Sequence, residues 1–298
     1  MRPVVVVGDL MVDVVARMSG PLAPGSDTPA SVSYRPGGAG ATVAAWLAVC
    51  GVPVALVARA GDDEAGRGAL ERLRGHGVDV AHVVLDPDRA TGTCVVLVAP
   101  DGERSMLPDA GANGTLSPDD LAGAPFAPGA HLHLAGYTLL RDGPPREAAR
   151  EALGRARSSG MTISVDPSSA TPIERFGAAR FLALAGHPDL LLPNRDEAVA
   201  LTGSADPRAL AAHAREAVVT LGAGGARWSD GRVILDAPAV ADRAPVADTT
   251  GAGDAFAAGF LAAWLDGAPP GGALEAGNAH AAQTAIPPRA KLCGVSGM

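Results

Sequence analysis

The sequence predicts an α/β protein with a mainly parallel central sheet and a second, smaller β-layer. Short apolar runs alternate with helical segments over most of the 298 residues, which is typical of right-handed βαβ units covered on both faces. Two segments, residues 11–36 and 90–112, contain strand patterns without this alternation. We therefore predict a core formed by residues 1–10, 37–89 and 113–298, and a small β-sheet formed by the two segments that interrupt it.

The first half of the chain begins the alternation. Residues 4–7 are four consecutive valines that end at Gly8-Asp9, a pattern typical of a buried parallel strand with its carboxyl end at a site. A hairpin is predicted around Asp101-Gly102, the dipeptide that a type I′ turn favours. The other elements follow from apolar periodicity and stop signals: strands at residues 10–15, 31–34, 54–57, 93–99 and 104–107, and helices at residues 43–49 and 62–73.

The second half alternates more regularly. Residues 255–265 predict a strongly apolar helix that ends near Gly267, a common residue at helix ends, with Pro269 and Pro270 beyond it. The remaining elements are strands at residues 131–134, 162–166, 190–192 and 217–221, a hairpin within 228–235, helices at 145–158, 196–201 and 207–215, and a late helix that carries Asn278.

The composition limits the classes of function. Hydrophobic residues make up 47% of the chain and charged residues 19%, as in a globular enzyme. The net charge of −8 and the aromatic content of 3% argue against a nucleic-acid partner, which requires clustered cations or stacking platforms. No apolar run is long enough to span a bilayer. Three cysteines without paired spacing indicate a reducing compartment, so we expect a cytoplasmic protein with no membrane partner.

The segment from Asp248 to Phe256 (DTTGAGDAF) is the strongest functional signal. Gly251 and Gly253 allow a tight turn before the apolar helix, and Asp254 falls in the first turn of that helix. The unpaired N–H groups and the dipole at such a helix start form a site for phosphoryl oxygens. A carboxylate beside this site can take a proton from an attacking hydroxyl. The structural alternative is a glycine-rich turn into a buried helix, with Asp254 as a cap.

The longer run DTTGAGDAFAAGF, residues 248–260, resembles the C-terminal signature of the ribokinase-like (PfkB-type) carbohydrate kinases. The resemblance covers nearly the full chain. It implies a Rossmann-like α/β core with a β-sheet lid assembled from the two insertions, and it implies ATP and Mg²⁺ as cofactors. It also implies that Asp254 is the catalytic base and that Gly251, Ala252 and Gly253 supply the amides of the anion hole.

The substrate side of the implied site begins at a second glycine-rich stretch, residues 36–42, which resembles the N-terminal signature of the family. Glycines at positions 37 and 38 would let the backbone approach a sugar ring. The usual Asn of the signature is Thr42 here, which offers one hydroxyl in place of an amide donor and acceptor. Gly37, Gly38 and Thr42 are thus expected to contact the substrate. The alternative is a tight turn before a core helix.

Two residues of the predicted lid complete the substrate side. Asp13 matches the position of the family's substrate-binding Asp, whose carboxylate can accept hydrogen bonds from two sugar hydroxyls. Asp9 is the less favoured alternative for this role. Arg104, in the lid hairpin, either reaches the substrate or is a solvated charge at a sheet edge.

The nucleotide side is indicated by Asn194-x-x-Glu197, which in the family helps to hold the phosphates of Mg–ATP. Glu197 is expected to act on Mg²⁺ through a metal-bound water, because Mg²⁺ usually keeps several waters. The same spacing is also that of a capping box at a helix start, and the two roles are compatible. The resemblance implies four further nucleotide contacts, namely Thr220, Gly222, Gly225 and Asn278.

Asp248 and Thr250 match positions that form a monovalent-cation site in many relatives, which implies a role for K⁺. The resemblance also implies a homodimer through the lid. Together these residues predict an ATP-dependent kinase for a hydroxymethyl group of a small sugar, as in ribokinases and fructokinases. The alternatives within the fold are a nucleoside kinase and a phosphosugar kinase, and the alternative of another class is a non-catalytic regulator that binds a sugar or a nucleotide.

Overall fold

The computed structural model describes residues 1–240 and 251–284. Its strands are β1 (Val4–Val7), β2 (Met11–Met18), β3 (Ala30–Gly37), β4 (Val54–Gly61), β5 (Val83–Asp86), β6 (Gly92–Val98), β7 (Arg104–Asp109), β8 (His131–Ala135), β9 (Thr162–Asp166), β10 (Leu190–Leu191), β11 (Glu216–Thr220), β12 (Ala226–Ser229) and β13 (Ile234–Ala237). Its α-helices are α1 (Ala39–Val49), α2 (Glu64–Gly75), α3 (Tyr137–Leu140), α4 (Pro144–Ser158), α5 (Ala170–Phe176), α6 (Ala178–Ala185), α7 (Arg195–Thr202), α8 (Ala252–Leu265) and α9 (Pro270–Thr284).

The larger sheet has the strand order β13-β12-β11-β10-β9-β8-β1-β4-β5. Seven neighbouring strands, from β11 to β5 in this order, pair in parallel, and only the β12–β13 hairpin at one edge is antiparallel. β1 lies between β4 and β8, and all four of its valines are buried. This arrangement confirms the predicted α/β class.

The sheet separates two apolar layers. Side chains alternate across β1, so that Val4 and Val6 join the layer under α1 and α8, while Val5 and Val7 join the layer under α4. A strand buried on both faces must be apolar at every position, which explains why β1 is a continuous run of valines.

A separate sheet of four strands has the order β3-β2-β6-β7. β2 and β6 pair in parallel, and β3 and β7 add antiparallel edges. These strands come from the two segments that lack βα alternation, so the prediction of a second β-layer is confirmed. We refer to this sheet as the lid sheet; the domain boundaries at residues 10, 36, 89 and 112 remain predictions.

Three predictions of local structure are wrong. The turn at Asp101-Gly102 is not type I′, because Gly102 alone of the two has a positive φ (89°) and the loop begins at Pro100, whose ring fixes a negative φ. α1 begins at Ala39 and not at residue 43, because its small first-turn residues allow the helix to start directly against β1. The predicted helix at 207–215 is a single 3₁₀ turn, Pro207–Leu210, because the backbone is drawn into β11 soon afterwards.

The prediction also missed β5 and α3, and it missed two further helices, α5 and α6. The two helices are short and are separated only by Gly177, whose φ is 97°.

Among the residues that the structure describes, no helix combines the length and the apolarity that crossing a bilayer requires.

Candidate active site

A group of polar residues lies at the carboxyl ends of the central parallel strands. Asp9 follows β1, Asp166 ends β9, Asn194 follows β10 and Thr220 ends β11. Parallel strands end at one edge of a sheet, and ligands of open α/β sheets bind beside that edge. A cavity of about 150 Å³ is found there, and its lining includes Asp166, Asn194, Glu197, Thr220, Gly251, Gly253 and Asp254.

The N-terminus of α8 forms one wall of this cavity. Gly251 precedes the helix in a left-handed conformation (φ 77°), and no side chain caps the helix start. The first hydrogen bond of the helix runs from the Ala255 N–H to the Gly251 carbonyl. The N–H groups of Ala252, Gly253 and Asp254 therefore have no acceptor within the helix, which suits the binding of an anion. As the sequence predicts, Asp254 lies in the first helical turn.

The Asp254 carboxyl group lies in an unusually negative environment. Burial raises its pKa well above the ordinary value, and the nearby carboxylates of Asp166, Asp9, Glu197 and Asp13 raise it further. A carboxyl group with a raised pKa is a stronger base when it is ionised. The position of Asp254 beside amides that have no acceptor within α8 therefore combines an acceptor for a proton with donors for an anion.

Asn194 and Glu197 form a reciprocal capping box at the start of α7. The Glu197 carboxylate accepts from the Asn194 backbone N–H (2.9 Å) and from the Asn194 side-chain amide (2.6 Å), and the Glu197 N–H donates to the Asn194 side chain (2.9 Å). Burial, followed by the charge of Asp166, raises the pKa of Glu197 to about 8. Both residues also line the cavity, so the structural role and a ligand-binding role are compatible.

Asp9 is tied to the start of α1. Its carboxylate accepts from the Gly40 N–H (3.2 Å) and its carbonyl accepts from the Ala41 N–H (3.0 Å). Burial raises the pKa of Asp9, while the backbone amides of Gly40, Asp9 and Ala39 and the charge of Arg141 act against that rise. Asp9 therefore holds the helix and contributes negative charge to the site.

The glycines of the stretch at 36–42 are required by backbone packing. A Cβ on Gly38, whose φ is 89°, would lie 2.7 Å from the Asp9 carbonyl oxygen, and a Cβ on Gly40 would lie 2.7 Å from the Gly8 Cα. A Cβ on Gly37 would overlap the Asp13 carboxylate. The stretch is thus a tight turn before a core helix, as the alternative interpretation expected. This packing role is compatible with the substrate role, which remains a prediction.

Asp13, in the lid sheet, and Thr42, in α1, lie close to Asp254 and Gly251 respectively. In β2, Asp13 has Arg35 and Cys94 as its cross-strand neighbours. Burial and the charge of Asp9 raise the pKa of Asp13 to about 6, against the lowering effect of Arg35. The Thr42 methyl carbon lies 3.7 Å from the position that a Cβ on Gly251 would take, which puts Thr42 next to the start of α8.

Other predicted residues lie apart from this group. Arg104 is four register positions from Asp13, about 13 Å along the lid strands at 3.3 Å per residue. Asn278 is buried and donates to the carbonyls of Ala237 (3.2 Å) and Pro238 (3.0 Å). Gly222 and Gly225 form a turn after β11, where a Cβ on Gly225 would overlap the Ala237 carbonyl oxygen. Their predicted roles in binding remain predictions.

Asp248 and Thr250, the predicted cation ligands, lie outside the described residues.

Comparison with known proteins identifies the family. Residues 1–290 match the pfkB family of carbohydrate kinases. The chain belongs to this family. The 2-dehydro-3-deoxygluconokinase of Thermoproteus tenax is 34% identical over 244 residues, which cover 78% of this chain and 73% of the relative.

Two solved structures illustrate what similar proteins bind. The aminoimidazole riboside kinase from Salmonella enterica, complexed with aminoimidazole riboside and an ATP analog, has a TM-score of 0.77 and 28% identity, over 96% of this chain and 94% of that chain. The fructokinase from Vibrio cholerae O395 in its fructose, ADP and calcium ion bound form has a TM-score of 0.81 and 27% identity, over 97% and 94% of the two chains. The present chain is therefore a sugar kinase with a ribokinase-like α/β fold.

Sequence reasoning missed several residues in and around this cavity. Asp166 lines the cavity and raises the pKa of Asp254, and Ser168 lines it with a positive φ of 73°, which is rare outside glycine. Arg141 is near enough to Asp9 to lower its pKa. Asp166 could have been predicted as a site residue, because it lies at the carboxyl end of a predicted parallel strand, and Asp9 has the same position after another strand. Ser168 and Arg141 carried no sequence signal, because loop geometry alone positions them.

Proposed function

We propose that the kinase transfers the γ-phosphoryl group of ATP to a hydroxymethyl group of a small sugar, with Asp254 as the base. The observation that carries the proposal is the position of the Asp254 carboxylate beside N–H groups at the start of α8 that have no acceptor within the helix, in a cavity at the carboxyl edge of the sheet. Asp254 accepts the proton of the attacking hydroxyl. The N–H groups of Ala252 and Gly253, with the turn at Gly251, stabilise the charge that develops on the phosphoryl oxygens.

Asp13, Gly37, Gly38 and Thr42 hold the sugar on the lid side. The Asp13 carboxylate accepts from hydroxyls of the substrate, and Gly37 leaves room for that carboxylate at the base of the lid sheet. Arg104 lies about 13 Å along the lid strands from Asp13, so in this proposal it contacts a part of the substrate other than the hydroxyls at Asp13.

Asn194 and Glu197 hold the nucleotide side. Both oxygens of Glu197 already accept hydrogen bonds from Asn194, so their remaining lone pairs suit a metal-bound water better than direct coordination. Asp166 supplies a second carboxylate in the same cavity. This all-oxygen donor set fits Mg²⁺, which when bound neutralises phosphate charge. Thr220, Gly222, Gly225 and Asn278 complete the nucleotide side in this proposal.

Asp248 and Thr250 are proposed to bind K⁺ beside the anion hole. The proposal is supported by their place in the signature immediately before Gly251. If it is correct, activity is higher in K⁺ than in Na⁺ or choline buffer. Equal activity in the three buffers would contradict it.

A homodimer through the lid sheet is supported by one row of cross-strand neighbours, Tyr34, Val14, Val95 and Leu107. Side chains directly opposite each other in such a row lie on one face of a sheet. Tyr34 is 76% exposed and Leu107 is 55% exposed. An apolar row at this exposure suits burial against a second copy of the chain.

An ATP-consumption assay over pentoses, hexoses, ketoses, their phosphates and nucleosides tests the proposal. We expect turnover with at least one unphosphorylated sugar or nucleoside. Turnover confined to phosphosugars would favour a phosphosugar kinase. Tight binding of a sugar or a nucleotide without turnover of any substrate would favour the non-catalytic regulator.

A further inference from the structure

Ser168 lies in the loop that follows β9, two residues after Asp166, at the carboxyl edge of the larger sheet. It lines the cavity of about 150 Å³ that also contains Asp254, Asn194 and Glu197, which we call the Asp254 cavity. The residues proposed to hold the sugar are not part of this lining. Ser168 therefore belongs to the phosphate side of the proposed site.

The backbone of Ser168 has an unfavourable conformation. Its φ is 73°, in the left-handed region that glycine adopts freely and that a residue with a Cβ rarely adopts. Within residues 1–240 and 251–284, His187 is the one other non-glycine residue with a positive φ (59°). His187 is exposed and does not line the Asp254 cavity. A side chain that is kept at a strained φ beside the proposed base indicates a role for that side chain.

The hydrogen bonds of Ser168 leave its hydroxyl available to a ligand. The Ser168 backbone N–H donates to the Asp166 carboxylate (2.7 Å), so this N–H is already used. The hydroxyl donates to the Asp166 carbonyl at 3.3 Å, which is long for an O–H···O bond. The Gly136 N–H donates to the same carbonyl at 2.7 Å. The carbonyl therefore keeps a partner when the Ser168 hydroxyl turns to another acceptor.

The Asp254 cavity needs donors if it is to hold an anion. Asp166, Glu197 and Asp254 line it, and ionised carboxylates only accept hydrogen bonds. Ser168 and Thr220 bring hydroxyl groups to the same lining. Of the neighbouring carboxylates, Asp166 has the largest effect on Asp254, and Ser168 is bonded directly to Asp166. The Ser168 hydroxyl is therefore the side-chain donor at the Asp254 end of the cavity.

We propose that the Ser168 hydroxyl donates a hydrogen bond to an oxygen of the γ-phosphoryl group of ATP. The bond forms when ATP binds and is kept while charge develops on the phosphoryl oxygens, so it acts together with the N–H groups at the start of α8. The strained φ is the conformation that brings this hydroxyl into the cavity, at a cost in stability. This inference rests on the proposed function of Asp254 and adds a phosphoryl-binding residue to it.

Two pairs of variants separate the hydroxyl from the backbone strain. Ser168→Ala removes the hydroxyl and keeps a Cβ at the strained φ, whereas Ser168→Gly removes both the hydroxyl and the strain. His187→Ala and His187→Gly are the matched controls, because they make the same backbone comparison at an exposed position outside the cavity.

Three measurements are made on the wild-type kinase and on each variant. Thermal unfolding reports the backbone strain. Calorimetry in the presence of Mg²⁺ compares the binding of ADP with that of β,γ-methylene-ATP, a non-hydrolysable analogue that retains the γ-phosphoryl group. An ATP-consumption assay with the best sugar gives kcat and the KM for the sugar.

We expect stability and activity to respond differently. Ser168→Gly should unfold at a higher temperature than Ser168→Ala, because glycine adopts a positive φ without strain, and His187→Gly should likewise exceed His187→Ala. In both Ser168 variants kcat should fall by about tenfold or more, the effect of losing a donor to a charged oxygen, while the KM for the sugar stays within about twofold. Both should bind β,γ-methylene-ATP about threefold or more weakly and bind ADP as the wild-type kinase does. The His187 variants should keep wild-type kcat and binding.

A wild-type kcat in either Ser168 variant would overturn the inference while the proposed kinase activity stood. Equal weakening of ADP and β,γ-methylene-ATP would also overturn it, because the contact would then not be made to the γ-phosphoryl group. If Ser168→Ala does not fold, Ser168→Gly still tests the hydroxyl. If the wild-type protein phosphorylates no compound, the proposed function fails, and the difference between the analogue and ADP still decides whether Ser168 contacts the γ-phosphoryl group.

Discussion

At the scale of single residues, the site is defined by acidic side chains from five separate parts of the chain. Asp9, Asp13, Asp166 and Glu197 all raise the pKa of Asp254. The sequence predicted Glu197 and Asp254 from short motifs, and it predicted Asp13 from the position that the family resemblance gives this residue. Asp166 could be predicted only from the topology of the sheet, because its own neighbours in the sequence carry no motif.

Replacement of Asp166 by Asn should move the pH dependence of catalysis. A base acts in its ionised form, so kcat/KM falls as the pH falls through the pKa of Asp254. Removal of the Asp166 charge makes ionisation of Asp254 less unfavourable and lowers the Asp254 pKa. The acid limb of the pH profile should therefore move to lower pH.

Asp142→Asn is the control for this shift, because Asp142 is an exposed carboxylate that does not line the cavity. Its acid limb should coincide with that of the wild-type kinase. An unchanged limb in Asp166→Asn, or a shift to higher pH, would show that Asp254 does not control the profile.

At the scale of elements, the start of α1 shows how packing and function share a glycine-rich stretch. The sequence suggested that these glycines let the backbone approach a sugar, and it placed the helix start four residues too late. The structure shows that the helix begins at Ala39, because Gly8 and Gly40 allow the ends of β1 and α1 to meet backbone to backbone. Gly8 and Gly40 are 32 residues apart in the sequence, so no local sequence pattern predicts their contact.

Replacement of Gly40 by Ala should destabilise the fold. Its Cβ would lie 2.7 Å from the Gly8 Cα, and overpacking of this kind typically costs about 1–3 kcal/mol. Gly154→Ala, in α4, is the matched control, because no atom lies within 4 Å of its added Cβ and alanine is the better helix former by about 0.5–1 kcal/mol. Chemical denaturation measures both changes. Equal unfolding free energies for the two variants would contradict the packing account.

At the scale of the whole molecule, the sequence predicted two sheets because only one part of the chain alternates strands with helices. That reasoning succeeds because the parallel or antiparallel character of a sheet depends on the hydrophobic periodicity and on the length of the connections between strands. Both can be read from the sequence. The cavity of about 210 Å³ between α1 and α2 was not predicted, because it depends on how the two helices and the base of the lid sheet are spaced. The same limit applies to Asn278, whose two bonds to the β13 end depend on the packing of α9.

The apolar row of the lid sheet predicts the response of the oligomer to a charge. Leu107→Lys should raise the dimer dissociation constant by at least about tenfold, or 1.4 kcal/mol, because it buries an unpaired cation at the proposed interface. Val233→Lys is the control, since Val233 is 52% exposed in the β12–β13 hairpin, away from the lid sheet. Light scattering coupled to size exclusion measures the mass. A monomeric wild-type protein, or equal effects of the two variants, would exclude a lid-mediated dimer.

The central claim is that Asp254 takes the proton from the attacking hydroxyl, and the turnover of Asp254→Asn with the best substrate tests it most directly. Asn keeps the shape of the side chain and removes the base. Loss of a positioned base typically costs about 10²–10⁴-fold in rate, so kcat should fall in that range while nucleotide binding and thermal stability are retained. Asp266→Asn, at the other end of α8, should keep wild-type turnover. A folded Asp254→Asn kinase that turns over at a near wild-type rate would contradict the mechanism.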